Sequence, residues 1–307
     1  MTVKNTPRAL CYTRSMRYLG AVIRPPSEAT SLILQVTYGC SNNTCEFCGT
    51  YLDKPFAVRP PDAVHEDVVG LPAGAKERVE RVFLADGDAL ALSPRRLHEI
   101  LDLLHAELPQ LERVSSYANA KNLLAKEVDD LRALRARKLD LLYLGLESGD
   151  DQTLADINKG MTVAEQIEGC RRAKEAGIRL SVTAILGLAG AARSLEHGRA
   201  TGEALSAIDP EYIGILTLML VPGTAMHRKV ATGQTVLPDQ IGMLRELREI
   251  VAHTDVSDCL FRSNHASNYL PLGGHLPEDK GAMLATLDKV LQAPEAVQLR
   301  PETWRAL

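Results

Sequence analysis

Short β-rich runs alternate with longer stretches of helical periodicity between about residues 31 and 221, and this alternation restricts the fold more than any other feature of the chain. The candidate strands are SLILQVT (31–37), RVFLAD (81–86), RVSSY (113–117), DLLYLGLE (140–147), IRLSVTAILG (178–187) and YIGILTLMLV (212–221). Several are apolar without interruption, as strands buried on both faces of a parallel sheet must be. Between them, Leu124, Val128, Leu131 and Leu134 mark one helical face, and Val163, Ile167, Cys170 and Ala173 mark another. Six βα units in series predict an α/β chain folded as a partial (β/α)6 TIM-like parallel barrel with helices outside. A doubly wound sheet is the rival, but no G-x-G-x-x-G follows the first strand. In a parallel barrel the chemistry sits at the C-terminal ends of the strands.

The same pattern divides the chain into an N-terminal extension (1–30), a barrel core (31–225) and a helical and loop segment (226–307) that caps the core. Within the cap, helical patterns at 240–253 and 277–292 flank the loop-like FRSNHASNYLPLGGHLP, whose Gly273-Gly274 pair would permit a tight bend. The 307 residues carry a net charge of −4, and the most basic run, LRALRARK (131–138), has its charges at helical spacing. That is the pattern of a solvated helix face, so nucleic acid is not an expected partner. No stretch approaches about 18 uninterrupted apolar residues, and the first residues lack an apolar targeting core. The expected location is the cytoplasm, away from membranes, where thiols stay reduced.

Against that background, GCSNNTCEFCGTY (39–51) stands out: three of the six cysteines fall within nine positions, as C-x4-C-x2-C. Cys40, Cys45 and Cys48 directly follow the first strand, at the edge where a site is expected. A closed structural zinc site wants four ligands, and no fourth Cys or His lies nearby; a three-thiolate zinc stays open. Iron–sulfur clusters normally take four thiolates. Three ligands on a four-iron cube leave one iron free to bind something else, which makes the cluster a reagent. The remaining cysteines stand singly. Cys170 continues an apolar helical face, Cys11 lies in the extension, and Cys259 reads as either a strand or a loop residue.

A compact cysteine trio after the first strand, with the aromatic Phe47 just before the last cysteine, resembles the signature of the radical S-adenosylmethionine (radical SAM) enzymes. The usual spacing there is C-x3-C-x2-C, so this chain has one extra residue in the first gap. FLADGDAL (83–90) is similar to the segment that grips the amino group of S-adenosylmethionine, with Gly87 and Asp88 in the key positions. LGLESGDD (144–151) resembles the fourth-strand end of the subgroup related to oxygen-independent coproporphyrinogen oxidases, where Glu147 would reach the ribose. ILGLAG (185–190) and LMLVPGT (218–224) resemble the strand ends that flank adenine, which brings in Leu188 and Leu220. Ser116, with Ser115 and Asn119, is a weaker candidate at the third strand's end.

The resemblance implies a [4Fe–4S] cluster on Cys40, Cys45 and Cys48 with S-adenosylmethionine on the open iron. It further implies reductive cleavage to a 5′-deoxyadenosyl radical that takes hydrogen from a substrate, and an electron donor such as flavodoxin or ferredoxin. Nothing basic or appended suggests a macromolecular substrate, so a small molecule is expected. A tRNA- or protein-modifying enzyme of the same kind is one alternative, and a non-catalytic protein with a structural zinc or iron–sulfur site is another. In the cap, RSNHASNYL (262–270) reads as either a polar turn or a substrate-facing lid with His265 as a hydrogen-bond or proton-transfer group.

Overall fold

The computed structural model describes residues 16–306, and Cys11 lies outside them. One eight-stranded sheet runs through the molecule in the order β1 (Leu32–Gln35), β4 (Arg81–Ala85), β5 (Arg113–Ala118), β6 (Leu139–Glu147), β7 (Arg179–Leu186), β8 (Tyr212–Thr217), β9 (Cys259–Ser263) and β10 (Leu272–Leu276). Neighbours from β1 to β9 are parallel, and β10 returns antiparallel to β9. The other two strands, β2 (Thr37–Tyr38) and β3 (Ala57–Val58), pair with each other alone. They close the neck of the loop that carries the cysteine trio.

The six expected βα units are present. The run at 121–138 is two helices, Ala120–Leu124 and Val128–Ala136. Its arginines are paired, Arg132 with Asp129 and Glu175, Arg135 with Asp140 and Arg137 with Asp102, which is how a solvated helix face satisfies its charge. No helix among the described residues is long and apolar enough to cross a membrane.

Alternation along each strand separates two environments. Leu34, Leu84, Leu142, Val182, Ile213 and Phe261 are fully buried under the outer helices, and Cys170 and Cys259 join that layer. Facing the other way, Phe83, Tyr117 and Tyr143 pack edge to face with centroids 5.0–6.2 Å apart. Beneath them Glu28, fully buried, accepts hydrogen bonds from Arg113 at 2.7 Å and from the Tyr143 hydroxyl at 2.6 Å. The extension thus closes the lower end of the lumen with a satisfied charge. It also runs beside β1, where Leu19 N–H donates to Gln35 Oε1 and the Tyr18 hydroxyl to the Ile33 carbonyl.

One expectation for the cap is corrected. Gly273 and Gly274 make no bend; both lie within β10, opposite Arg262 and Phe261. A Cβ at Gly274 would come within 2.7 Å of Asp279, and one at Gly273 within 3.1 Å of the Phe261 carbonyl, so crowding selects glycine there. The polar run before them is tied to the end of β8. Asn268 is buried, donates to the Ile215 carbonyl and to Ser263, and accepts from Thr217. Ser267 accepts from the Thr217 N–H. These side chains satisfy the backbone where β8 ends.

Candidate active site

The trio loop leaves the sheet at Gly39, whose φ of +64° suits glycine and whose missing Cβ makes room for the Lys54 carbonyl. From there it is fixed on both flanks. On one side Glu46 N–H donates to the Ile157 carbonyl at 2.9 Å, and Asn42 Nδ2 to the Lys159 carbonyl at 2.9 Å. On the other, Met226 N–H donates to the Glu46 carbonyl, Lys229 pairs with the Glu46 carboxylate, and Val221 fills the space beside Gly49. The loop is therefore stapled between the segment after β6 and the segment after β8. That places the trio at the C-terminal face of the strands.

A buried network anchors its return limb. Asp86, at the end of β4, accepts from Lys54 Nζ at 2.9 Å, from the Tyr51 hydroxyl at 3.1 Å and from Gln35 Nε2 at 3.1 Å. The Tyr51 ring crosses the backbone at Gly87 so closely that any Cβ there would collide with it. The openness at Gly87 thus serves Tyr51.

Cys40, Cys45 and Cys48 are each partly exposed. Burial pushes the Cys40 thiol up to about 12 and raises that of Cys45, against the pull of Lys159. Thiols held this way bind metal with release of protons. One zinc would gather its sulfurs at bonds of about 2.3 Å around one point, whereas a cube offers each thiolate its own iron.

Asp88 lies beside the trio with one carboxylate oxygen engaged and one idle. Oδ2 accepts from the Ser41 hydroxyl and from Asn122 Nδ2. Oδ1 is buried without a partner among the described residues. Burial lifts this carboxyl to about 6 despite those donors and the nearby Lys126 charge. An orphaned, desolvated oxygen is costly unless a donor comes to it.

Glu147 ends β6 with a φ of +65°, after an irregularity in the β6–β7 register. Its Oε1 accepts from Lys159 Nζ at 3.1 Å, and Oε2 accepts nothing from the described residues. Burial works against the charge on Lys159, but Glu147 and Cys45 outweigh it and raise its pKa. Phe47, Leu188 and Leu220 meet in one apolar cluster around Leu154, Ile157, Leu218 and Met226.

Ser116 does not come to this face. It is fully buried in register with Leu84, on the helix side, and donates to the Leu84 and Tyr117 carbonyls. His265 lies in the β9–β10 connection, half-buried. Its Nδ1 accepts from the Ser267 N–H at 3.2 Å, which leaves Nε2 as the nitrogen free to donate. Burial and then Arg300 lower its pKa.

Sequence reasoning passed over Ser41, Asn122, Lys159, Lys54 and Asp86. Only Ser41, adjoining a trio cysteine, carried a positional signal.

A sequence profile described as the Radical SAM superfamily matches residues 34–193, just over half of the chain. The chain belongs to the radical SAM superfamily. The cofactors that go with membership of these enzymes are a [4Fe–4S] cluster and S-adenosylmethionine. The donor set fits them: three thiols on one loop, with an idle carboxylate oxygen beside it.

Among curated proteins, the heme chaperone HemW of Bacillus subtilis (strain 168) is 25% identical over 164 residues, which is 53% of this radical SAM chain and 42% of that protein. The chain thus matches less than half the length of that relative. Among solved structures, coproporphyrinogen III oxidase HemN of Escherichia coli superposes with a TM-score of 0.54 at 18% identity, over 72% of this chain and 51% of that one. Methylornithine synthase PylB gives 0.51 at 16%, over 74% and 63%. These likenesses show the fold, a TIM-like partial barrel of the radical SAM kind.

Proposed function

We propose that this radical SAM enzyme cleaves S-adenosylmethionine reductively and uses the product to take hydrogen from a small molecule. The observation that carries the reading is the buried, unpartnered Asp88 Oδ1 beside the trio. Cys40, Cys45 and Cys48 would hold the cluster, which supplies the electron for cleavage. Asp88, oriented by Ser41 and Asn122, would accept from the amino group of S-adenosylmethionine. Glu147, steadied by Lys159, would offer Oε2 to the ribose, and the apolar cluster of Phe47, Leu188 and Leu220 would cover adenine. Against a macromolecular substrate stand the net charge of −4 and the paired arginines of the basic run. A small electron-transfer protein such as flavodoxin or ferredoxin would supply the reductant.

The test is anaerobic reconstitution followed by S-adenosylmethionine and reductant. Iron of about four per chain, as a cube requires, together with 5′-deoxyadenosine release, supports the reading; one zinc per chain and no cleavage ends it. Asp88→Asn and Glu147→Gln should each assemble the cluster normally yet bind S-adenosylmethionine about tenfold or more weakly, the range of a charge-assisted hydrogen bond. Equilibrium binding to reconstituted protein checks this, and unchanged affinity in both variants removes the assignment. His265→Ala should lower substrate-dependent turnover more than substrate-free cleavage, because the role assigned to it is toward the substrate and not toward cluster or cofactor. Equal loss in both assays would remove His265 from the substrate side.

A further inference from the structure

One row of residues crosses the inward face of the sheet in register: Gly145 on β6, Thr183 on β7, Gly214 on β8, Arg262 on β9 and Gly273 on β10. The row below it is bulky, Tyr143, Ser181, Tyr212, Leu260 and His275. Closed parallel barrels fill such rows with branched side chains. Here three of five positions are glycine, and a Cβ built on Gly214 would meet only Thr183 Oγ1, at 3.6 Å. The row is a shelf that is open at Gly214, filled at Gly145 by Glu147 Oε1 and tight at Gly273 against the Phe261 carbonyl, and it carries one hydroxyl and one charge.

Arg262 is exposed and makes no ion pair or hydrogen bond with the described residues, whereas Arg179, on β7, is paired with Asp140. Its outward-facing neighbours, Phe261 and Ser263, are fully buried, so alternation sets Arg262 on the lumen face. At the other end of the shelf, Gly145 abuts Glu147 Oε1 and lies 3.4 Å from Lys159 Nζ, measured from a built Cβ. Lys159 in turn is tied to the trio loop, its carbonyl accepting from Asn42 Nδ2 at 2.9 Å. From β6 to β9 is three strand spacings, roughly 14 Å along the sheet. The shelf therefore joins the cofactor side of the mouth to a lone guanidinium at a distance a small molecule can span.

We infer that Arg262 anchors the carboxylate of the substrate, with the open part of the shelf at Thr183 and Gly214 receiving its carbon skeleton, so that the substrate is a small organic acid. A guanidinium offers a fork of donors matched to a carboxylate. Gly214 leaves the skeleton room between Arg262 and Thr183, and Thr183 can donate to or accept from a polar substituent. This names the substrate class of the site proposed above and rests on that reading.

The experiment uses reconstituted protein with S-adenosylmethionine bound, and follows 3-phenylpropionate and inorganic phosphate separately by ligand-observed NMR. Phenylpropionate should bind wild type and lose about tenfold or more in affinity in Arg262→Met, with Arg262→Lys intermediate and phosphate indifferent to all three. Iron content, S-adenosylmethionine affinity and substrate-free cleavage should match wild type in both variants, which also shows that they fold. Equal phenylpropionate binding in Arg262→Met, or none to wild type, overturns the inference. So does Arg262-dependent binding of phosphate in place of carboxylate. Weakened S-adenosylmethionine binding in Arg262→Met overturns it too, by assigning Arg262 to the cofactor. Failure of the cluster itself reads out separately, as missing iron in the wild type.

Discussion

Replacing Cys40, Cys45 or Cys48 by Ala should abolish 5′-deoxyadenosine formation and strip most of the iron from reconstituted protein. Each thiolate would be one of only three cysteine bonds to the cluster, and the other described cysteines, Cys170 and Cys259, are buried in the core. The control is Cys170→Ala. Cys170 is fully buried among apolar side chains of the helix Val163–Glu175, so its loss should cost a little stability and leave iron near the wild-type value. Iron analysis and the visible spectrum after anaerobic reconstitution decide the matter. A Cys170 variant as iron-poor as the trio variants would show that the cysteines have been divided wrongly.

The second large effect is expected at Lys54. Its ammonium, 9% exposed, faces an Asp86 carboxylate that is wholly buried, and it also donates to the Ala21 carbonyl at 2.5 Å. Lys54→Met would leave Asp86 charged in a dry site with only the Tyr51 hydroxyl and Gln35 for company. Removing one partner of such a pair typically costs about 3–5 kcal/mol. The loss should appear in urea denaturation of the reduced, iron-free protein, and iron uptake should fall although all three trio thiols remain. Adding Asp86→Asn should restore part of the stability, because the stranded charge goes with it. A Lys54→Met protein within about 1 kcal/mol of wild type would mean that the network does not anchor the loop.

Local chemistry made much of this protein legible from its residues. Uninterrupted apolar strands alternating with amphipathic helices have few ways to bury their surfaces, and the parallel barrel follows from that. Thiols crowded at C-x4-C-x2-C point to metal, and Asp88 is picked out by the resemblance of FLADGDAL to the segment that grips the amino group of S-adenosylmethionine. Helix bounds such as Gln240–His253 followed from periodicity alone.

Tertiary structure decided the rest, wherever a residue's role depends on what faces it from far along the chain. Strand β10, Leu272–Leu276, holds two glycines and no β-branched residue, so its local preference is against a strand; pairing with β9 and crowding by Asp279 override it. Gly87 is open for the Tyr51 ring, which arrives from 36 positions earlier in the chain. Whether Ser116 or Tyr117 faces the lumen turns on a one-residue register, and a strand so short does not declare it. Ion pairs such as Lys54 with Asp86 and Lys159 with Glu147 leave no trace in spacing, because the fold alone brings their charges together. The lone Arg262 becomes visible only when five strands are set side by side and its row proves otherwise small and uncharged.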